Sequence, residues 1–373
     1  MNRNIVGLLA LILIFHPIWP ARADDRADQA IAELRKLGGR IDVDSRDGQQ
    51  VLTVNLFDCK NITDDDLKHL EALPNAIHLW LSQANVTDAG IEHIKGVAHL
   101  ETLTIRSTKI SDAGLQHLKG LTRLRDLELS ENRITDSGLK HLQELSGLQR
   151  LDIEGTAVTD AGIDQLAGLV NLKSLDLAST NITDAGMARV KDLRALRTLK
   201  LSYTRVGDAG LAQLAECVEL EDLDLRGTRV TNAGMSHLAT MVNLRTLELN
   251  ETRISSVGLR HLKGLSKLIS LTVASTRVGD AGLEQLQGLT NLQSLLLHGT
   301  RITDAGLERL KDLANLESLS PANTNVTDEG LRHLKGLSSI RVIDLRKTKV
   351  SKAAADQLRQ QLQQRIPDVR VLR

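Results

Sequence analysis

A five-residue core, TDAGL at 303 or a near copy of it, returns every 24 residues, and no other feature limits what this chain can fold into so tightly. The copies are TDAGI at 87, SDAGL at 111, TDSGL at 135, TDAGI at 159, TDAGM at 183, GDAGL at 207, TNAGM at 231, SSVGL at 255, GDAGL at 279, TDAGL at 303 and TDEGL at 327. From Ile77 to Ile340 they define eleven units with no insertion or deletion. A chain written this way is a stack of like units rather than two or three ordinary domains.

Within one unit, Glu101 to Leu124, two periodicities meet. Leu103 and Ile105 alternate as in a strand with one buried face, whereas Leu115, Leu118 and Leu121 recur every third residue, as on a helix stripe. Each unit therefore reads as strand, turn and helix. A lone unit has no partner for its apolar face, so neighbours stack, strands on strands and helices on helices. Strands stack at ~4.8 Å and helices need ~8–10 Å, so the stack has to curve. The expected fold is an α/β solenoid, with a parallel sheet on the concave side and helices on the convex side. Aromatic residues make up only 1% of the chain, so leucine has to build the core.

The recurring motif falls where the chain enters the helix. Thr303 or Asp304 can cap free backbone N–H groups there, and the carboxylate suits the positive helix end. Ala305 and Gly306 are small enough for close approach of adjacent turns. A phosphate cradle would have to act once, not eleven times, so the motif reads as structural. The threonines at 108, 156, 180, 204, 228, 252, 276, 300, 324 and 348, with Asn132 in the same row, are expected to stack and satisfy buried backbone groups of the turns.

Repeats of this length and leucine spacing resemble the leucine-rich repeat family. The first unit, LFDCKNITDDDLKHL from Leu56 to Leu70, is similar to the LxxCxxITDxxLxxL form of the cysteine-containing repeats best known from F-box proteins, and Cys217 falls at a helix position that is cysteine in that subtype. No F-box lies between Asp24 and Val51. The resemblance, over residues 51–373, implies the solenoid fold.

Outside the repeats, Arg3, the apolar run Ile5 to Phe15 and the small-residue site Ala21-Arg22-Ala23 read as a secretory signal peptide over 1–23. The run is too short to cross a ~30 Å hydrocarbon core, so no stable membrane anchor is expected after cleavage. The product is secreted or periplasmic. An N-terminal cap over 24–52 is expected as a helix, Arg26 to Leu37, stopped by Gly38-Gly39, and a hairpin turning at Asp47-Gly48. The repeats occupy 53–350, and 351–373 form a second cap, with a helix over Lys352 to Arg365 and a strand from Val369 to Leu372. Pro321 stands at a buried strand position, where it cannot donate to the sheet, so a local break in the ladder is expected. Cys59 and Cys217 lie several repeats apart, beyond disulfide reach.

Cleavage removes Arg3 and Arg22, leaving 45 basic against 47 acidic residues, a charge of −2. Nucleic acid is not an expected partner. No GxSxG, HExxH or P-loop motif occurs, so the chain reads as non-catalytic, with no cofactor and no metal. Recognition is expected on the concave face, where Trp80, Thr104, Glu128, Asp152, Asp176, Lys200, Asp224, Glu248, Thr272, Leu296, Ser320 and Asp344 stand between the two buried strand positions. The candidate contacts are Trp80, Arg106, Glu128, Asp152, Asp176, Lys200, Tyr203, Asp224 and Glu248, with Lys200 as a counter-ion inside an acidic patch. The expected partner is a protein or a glycan; the other reading is a cell-envelope component that self-associates. A second row, Lys109, Arg133, Arg205, Arg229, Arg253, Arg277, Arg301 and Lys349, is expected to pair with the helix-entry acids Asp112, Asp136, Asp208, Asp280 and Asp304; the other reading of the row is a basic groove for acidic glycans. The histidines in register, His69, His93, His117, His141, His237, His261 and His333, are expected on a solvated convex face.

Overall fold

A computed structural model of the protein describes residues 21–46 and 48–373. The expected signal peptide lies outside these residues up to position 20, as does Asp47 of the hairpin turn. A 15-stranded sheet runs in sequence order from end to end. Its first pair, Arg40–Arg46 with Gln49–Asn55, is antiparallel; Gln49–Asn55 then pairs in parallel with Ala76–Trp80, and the parallel ladder continues to Arg370–Leu372. The N-terminal helix, Ala21–Lys36, begins five residues before the expected start. The C-terminal helix spans Lys352–Gln363.

The strand of a unit is short. Thr102–Thr104 pairs with Asp126–Glu128 as Thr102↔Asp126, Leu103↔Leu127 and Thr104↔Glu128, and a shift of 24 residues reproduces this register. Identical leucines therefore stack. Leu103, Ile105, Ile110, Leu115, Leu118, Leu121 and Leu124 are all fully buried, and one continuous core runs the length of the stack.

The helical leg differs from a simple helix. In this unit it is one α turn, Asp112–Leu115, followed by a 3₁₀ turn, Gln116–Leu118, whereas Asp184–Val190 and Asp208–Leu214 are α throughout and Gly234–Thr240 is 3₁₀ throughout. A 3₁₀ helix has three residues per turn and rises ~2.0 Å per residue, against ~1.5 Å for α. It spans the convex side with fewer residues and turns the three-residue leucine spacing inward. Between strand and helical leg each unit places one residue in the left-handed region, including Ser107, Glu131 and Tyr203 at φ 52°, 57° and 57°, and Gly155 and Gly227 at 67° and 65°.

The helix-entry motif works across repeats, which the sequence did not reveal. The threonine does cap its own helix: Thr159 Oγ1 accepts from the Ala161 amide at 3.4 Å. The aspartate turns instead to the next unit. Asp136 Oδ1 accepts the Thr159 amide at 2.7 Å and Oδ2 accepts the Thr159 hydroxyl at 2.6 Å. The same pair of bonds joins Asp64 to Thr87 and Asp304 to Thr327. Each carboxylate thus sits at a helix N-terminus, that of its neighbour. The motif's glycine makes room for it, because a Cβ on Gly162 would lie 2.5 Å from Asp136 Oδ1.

The threonine row satisfies buried backbone groups as expected, mostly within one turn: Thr180 Oγ1 donates to the Leu177 carbonyl at 2.6 Å and Thr228 Oγ1 to Leu225 at 2.6 Å, whereas Thr108 Oγ1 donates to Asn132 Oδ1 of the next unit at 2.8 Å. Asn132 does reach across, donating through Nδ2 to Leu129 in its own unit and to Ile105 in the one before. At Pro321 the ladder breaks as expected. The pairing of Ser318–Ser320 with Val342–Asp344 keeps two register pairs instead of three, since proline has no N–H to offer the next strand.

Candidate functional site

The open face of the sheet is set by alternation. Leu151 and Ile153 turn into the core, so Asp152 between them turns outward, and parallel register places it between Glu128 and Asp176. Asp176 is followed by Lys200, Asp224 and Glu248 on the next three strands. Glu128 to Glu248 are therefore six adjacent rungs, about 24 Å at strand spacing. Trp80 stands two rungs before Glu128, stacked on His78 with ring centres 6.3 Å apart and planes 6° apart. It is three rungs, about 14 Å, from Asp152 and outside the acidic centre.

Two of the carboxylates are nearly closed off from water, Asp176 at 6% exposure and Asp224 at 8%. The aspartates also hold the bend that follows their strand: Asp152 Oδ1 accepts the Glu154 amide at 2.9 Å, Asp176 Oδ1 that of Ala178 at 3.0 Å, and Asp224 Oδ1 that of Arg226 at 2.9 Å. Lys200 acts as the internal counter-ion, its Nζ 2.9 Å from Asp176 Oδ2. A second counter-ion went unnoticed in the sequence. Arg226 Nη2 is 3.0 Å from both Asp224 Oδ2 and Glu248 Oε2. It lies two residues past the strand, in the column that contains Arg106, so extending the alternation by one step would have found it. Arg106 itself pairs with Glu131 at 2.7 Å. The Tyr203 ring lies over Gly227, whose missing side chain leaves it room, and its hydroxyl is 3.3 Å from Glu251 Oε1.

Asp152 has no such cation of its own. Burial, with the charges of Asp176, Glu128 and Glu154 behind it, pushes its carboxyl up to about 6. Burial and Asp224 raise Glu248 as well. Asp152, Glu154 and Asp176 each bring one oxygen within 4.8 Å of the others. The Lys200 ammonium already provides the positive charge at that cluster.

The sign of this shift can be tested. A carboxyl near 3.9 unfolded and about 6 folded leaves the native state holding the extra proton in that window, so its contribution to stability falls as pH rises from ~4 to ~6. Above that range the ionised group opposes folding, by about 1–2 kcal/mol after screening by partial exposure. Asp152→Asn keeps an acceptor for the Glu154 amide. It is expected to raise the urea unfolding free energy by that amount at pH 7.5, with the gain gone by pH 4. A loss at pH 7.5 would make Asp152 a structural group only.

The turn arginines contradict the expected pairing. Among the described residues Arg133, Arg205, Arg229, Arg253, Arg277 and Arg301 make no ion pair, because the helix-entry carboxylates are occupied by the threonines of the next unit. Lys109 bonds to Asn85 Oδ1 instead of an acid. The register histidines are half-buried rather than solvated. His93 Nδ1 lies 2.7 Å from Glu71, and burial lowers His141. Both cysteines are free and buried, and burial pushes the Cys217 thiol up to about 11, which keeps it un-ionised. Among the described residues no helix is long and apolar enough to cross a membrane.

Comparison with known proteins agrees with this geometry. The family model for the leucine rich repeat matches residues 98–158 and 146–206. The fold is similar to that of an internalin from Listeria monocytogenes, at 21% identity and a TM-score of 0.66, over 93% of this chain and 94% of that one. It is also similar to a TDR receptor, at 16% identity and a TM-score of 0.54, over 82% of this chain and 52% of that chain. No curated protein matches the chain. With a 24-residue leucine frame, a sheet that pairs in register from unit to unit and a matching family model, this chain belongs to the leucine-rich repeat family.

Proposed function

We propose that the chain is an exported, non-catalytic scaffold that recognises a protein through the concave face of its sheet. The contacts are Trp80, Arg106, Glu128, Asp152, Asp176, Lys200, Tyr203, Asp224 and Glu248, with Arg226 added to the acidic centre. The partner carries a cationic patch. One observation carries this reading: a run of carboxylates half-buried against one another on an open surface, one of them raised to about 6. Like charges on neighbouring strands are unfavourable, and a face chosen only for stability would not stack Glu128, Asp152 and Asp176. A cationic partner would relieve that repulsion on binding.

The test uses the chain from Asp24 onward as bait against envelope and medium extracts. Asp152→Asn, Asp176→Asn and Asp224→Asn together remove three charges and keep all three backbone acceptors. Loss of the captured protein, at unchanged circular dichroism, is the expected result. Equal capture by both forms removes the concave assignment. Sedimentation that shows concentration-dependent self-association with no captured protein favours the envelope component.

A further inference from the structure

The two edges of the sheet treat arginine differently. At the edge where the strands begin, acids and bases interleave from one unit to the next. Arg197 Nη1 is 3.1 Å from Glu221 Oε1, Arg245 Nε is 3.5 Å from the other oxygen of the same glutamate, and Arg341 pairs with Glu317 at 3.1 Å. At the opposite edge five consecutive units present Arg205, Arg229, Arg253, Arg277 and Arg301 with no acid between them. All five are exposed; Arg205, for example, stands between buried Thr204 and Val206.

The row is held in register by the backbone. Arg229 N donates to Val206 O at 2.8 Å, and Arg253, Arg277 and Arg301 repeat the bond to Val230, Ile254 and Val278. Parallel bridges join Ser255 to Arg277 and Gly279 to Arg301. The five side chains therefore leave the edge at strand spacing, ~4.8 Å, over a length of ~19 Å. Stacked like charges at this spacing repel. Neighbouring acids do not account for the row either, because the helix-entry acid is replaced by Asn232 and Ser256 in the units of Arg229 and Arg253, and both arginines remain.

We propose that this edge is a docking strip for a linear acidic polysaccharide carrying about one carboxylate per sugar. In an extended 1,4-linked pyranose ribbon the carboxylates on one face recur every second ring, at about twice the arginine spacing of ~4.8 Å, so they meet alternate guanidinium groups, which suit them as paired donors. An extended acidic peptide is out of step, since its same-face side chains recur every ~6.6 Å. A single nucleic-acid strand binds largely by stacking on aromatic rings, and Tyr203 is the one aromatic residue in the units that carry the strip. The strip lies off the concave face and does not depend on the reading proposed for it.

The probe is alginate, a polyuronate, immobilised and titrated with the chain from Asp24 onward at several salt concentrations. Arg229→Gln, Arg253→Gln and Arg277→Gln together are expected to weaken binding by at least about tenfold and to lower the salt slope by about 2–3, just under one released counter-ion for each charge removed. The corresponding triple lysine variant is expected to bind within a few-fold of wild type, and Arg197→Gln with Arg245→Gln on the paired edge to change nothing. Four results overturn the proposal: no binding by the wild type, equal binding by the glutamine variant, loss of binding in the lysine variant, or oligothymidylate or polyglutamate binding as tightly as alginate.

Discussion

Gly162→Ala is expected to destabilise the protein by about 2 kcal/mol, the middle of the range for forcing a methyl group into a packed site. Helix propensity alone gives the opposite sign, since alanine is favoured over glycine by about 1 kcal/mol in a helix. Packing decides it. The new Cβ would meet Asp136 Oδ1 at 2.5 Å, Val158 Cγ1 at 2.8 Å and Leu139 Cδ1 at 3.2 Å. Val158 and Leu139 are fully buried, and Asp136 is tied to Thr159, so none of the three can retreat cheaply. Gly120 is the control, because a Cβ there meets nothing within 4 Å. Gly120→Ala is expected to stay within about 0.5 kcal/mol of wild type. Guanidinium unfolding of the two variants separates them, and equal midpoints would show that the motif glycine is not there to make room.

Asp136→Ala is expected to cost about 2–3 kcal/mol, because it removes two charge-assisted hydrogen bonds and leaves the Thr159 amide unpaired at the seam between units. The chain contains its own milder variants. Asn232 keeps the bond from the Ser255 amide at 2.8 Å and turns its Nδ2 toward the Ser255 hydroxyl at 2.9 Å. Ser256 keeps the Gly279 amide at 2.9 Å. Asp136→Asn is therefore expected to stay within about 1 kcal/mol of wild type, the worth of an ordinary hydrogen bond. Faster hydrogen exchange at the Thr159 amide in the alanine variant alone would locate the loss at this seam. If asparagine proved as damaging as alanine, the carboxylate charge rather than the hydrogen bonds would be what joins the units.

The frame was legible because it rests on local periodicity. Leu103 with Ile105 gave the strand, the fixed 24-residue step gave the parallel register, and Pro321 announced the missing rung through its absent N–H. The three-residue step of Leu115, Leu118 and Leu121 carried more than was drawn from it, since it is the period of the 3₁₀ turn that follows the α turn. What stayed hidden was the choice of partner. An aspartate at a helix start can serve its own helix or the next one, and a period of 24 leaves both in the same sequence pattern. The left-handed residue of each turn was masked by mixed composition: Gly155 and Gly227 suit it, whereas Glu131 and Tyr203 hold the same conformation with large side chains.

The candidate site was half legible for a related reason. Strand alternation puts Glu128, Asp152, Asp176, Lys200, Asp224 and Glu248 on one open face whatever their purpose. Burial is not written in the pattern. Asp176 and Asp224 are nearly enclosed, hold the following bend through one oxygen and a cation through the other, and so serve the fold as well as the face. Arg226 was missed because it lies past the last strand residue, where the chain bends but still faces the same side.

The central claim is that recognition uses the concave sheet, and carbodiimide labelling of carboxylates in the free protein and in its captured complex tests it most directly. Protection of Glu128, Glu154 and Glu248, with the exposed Glu92, Glu144 and Glu308 on the helical side labelled equally in both states, is the result this account predicts. Protection of the helical-side acids, with the concave ones still open to reagent, would contradict it.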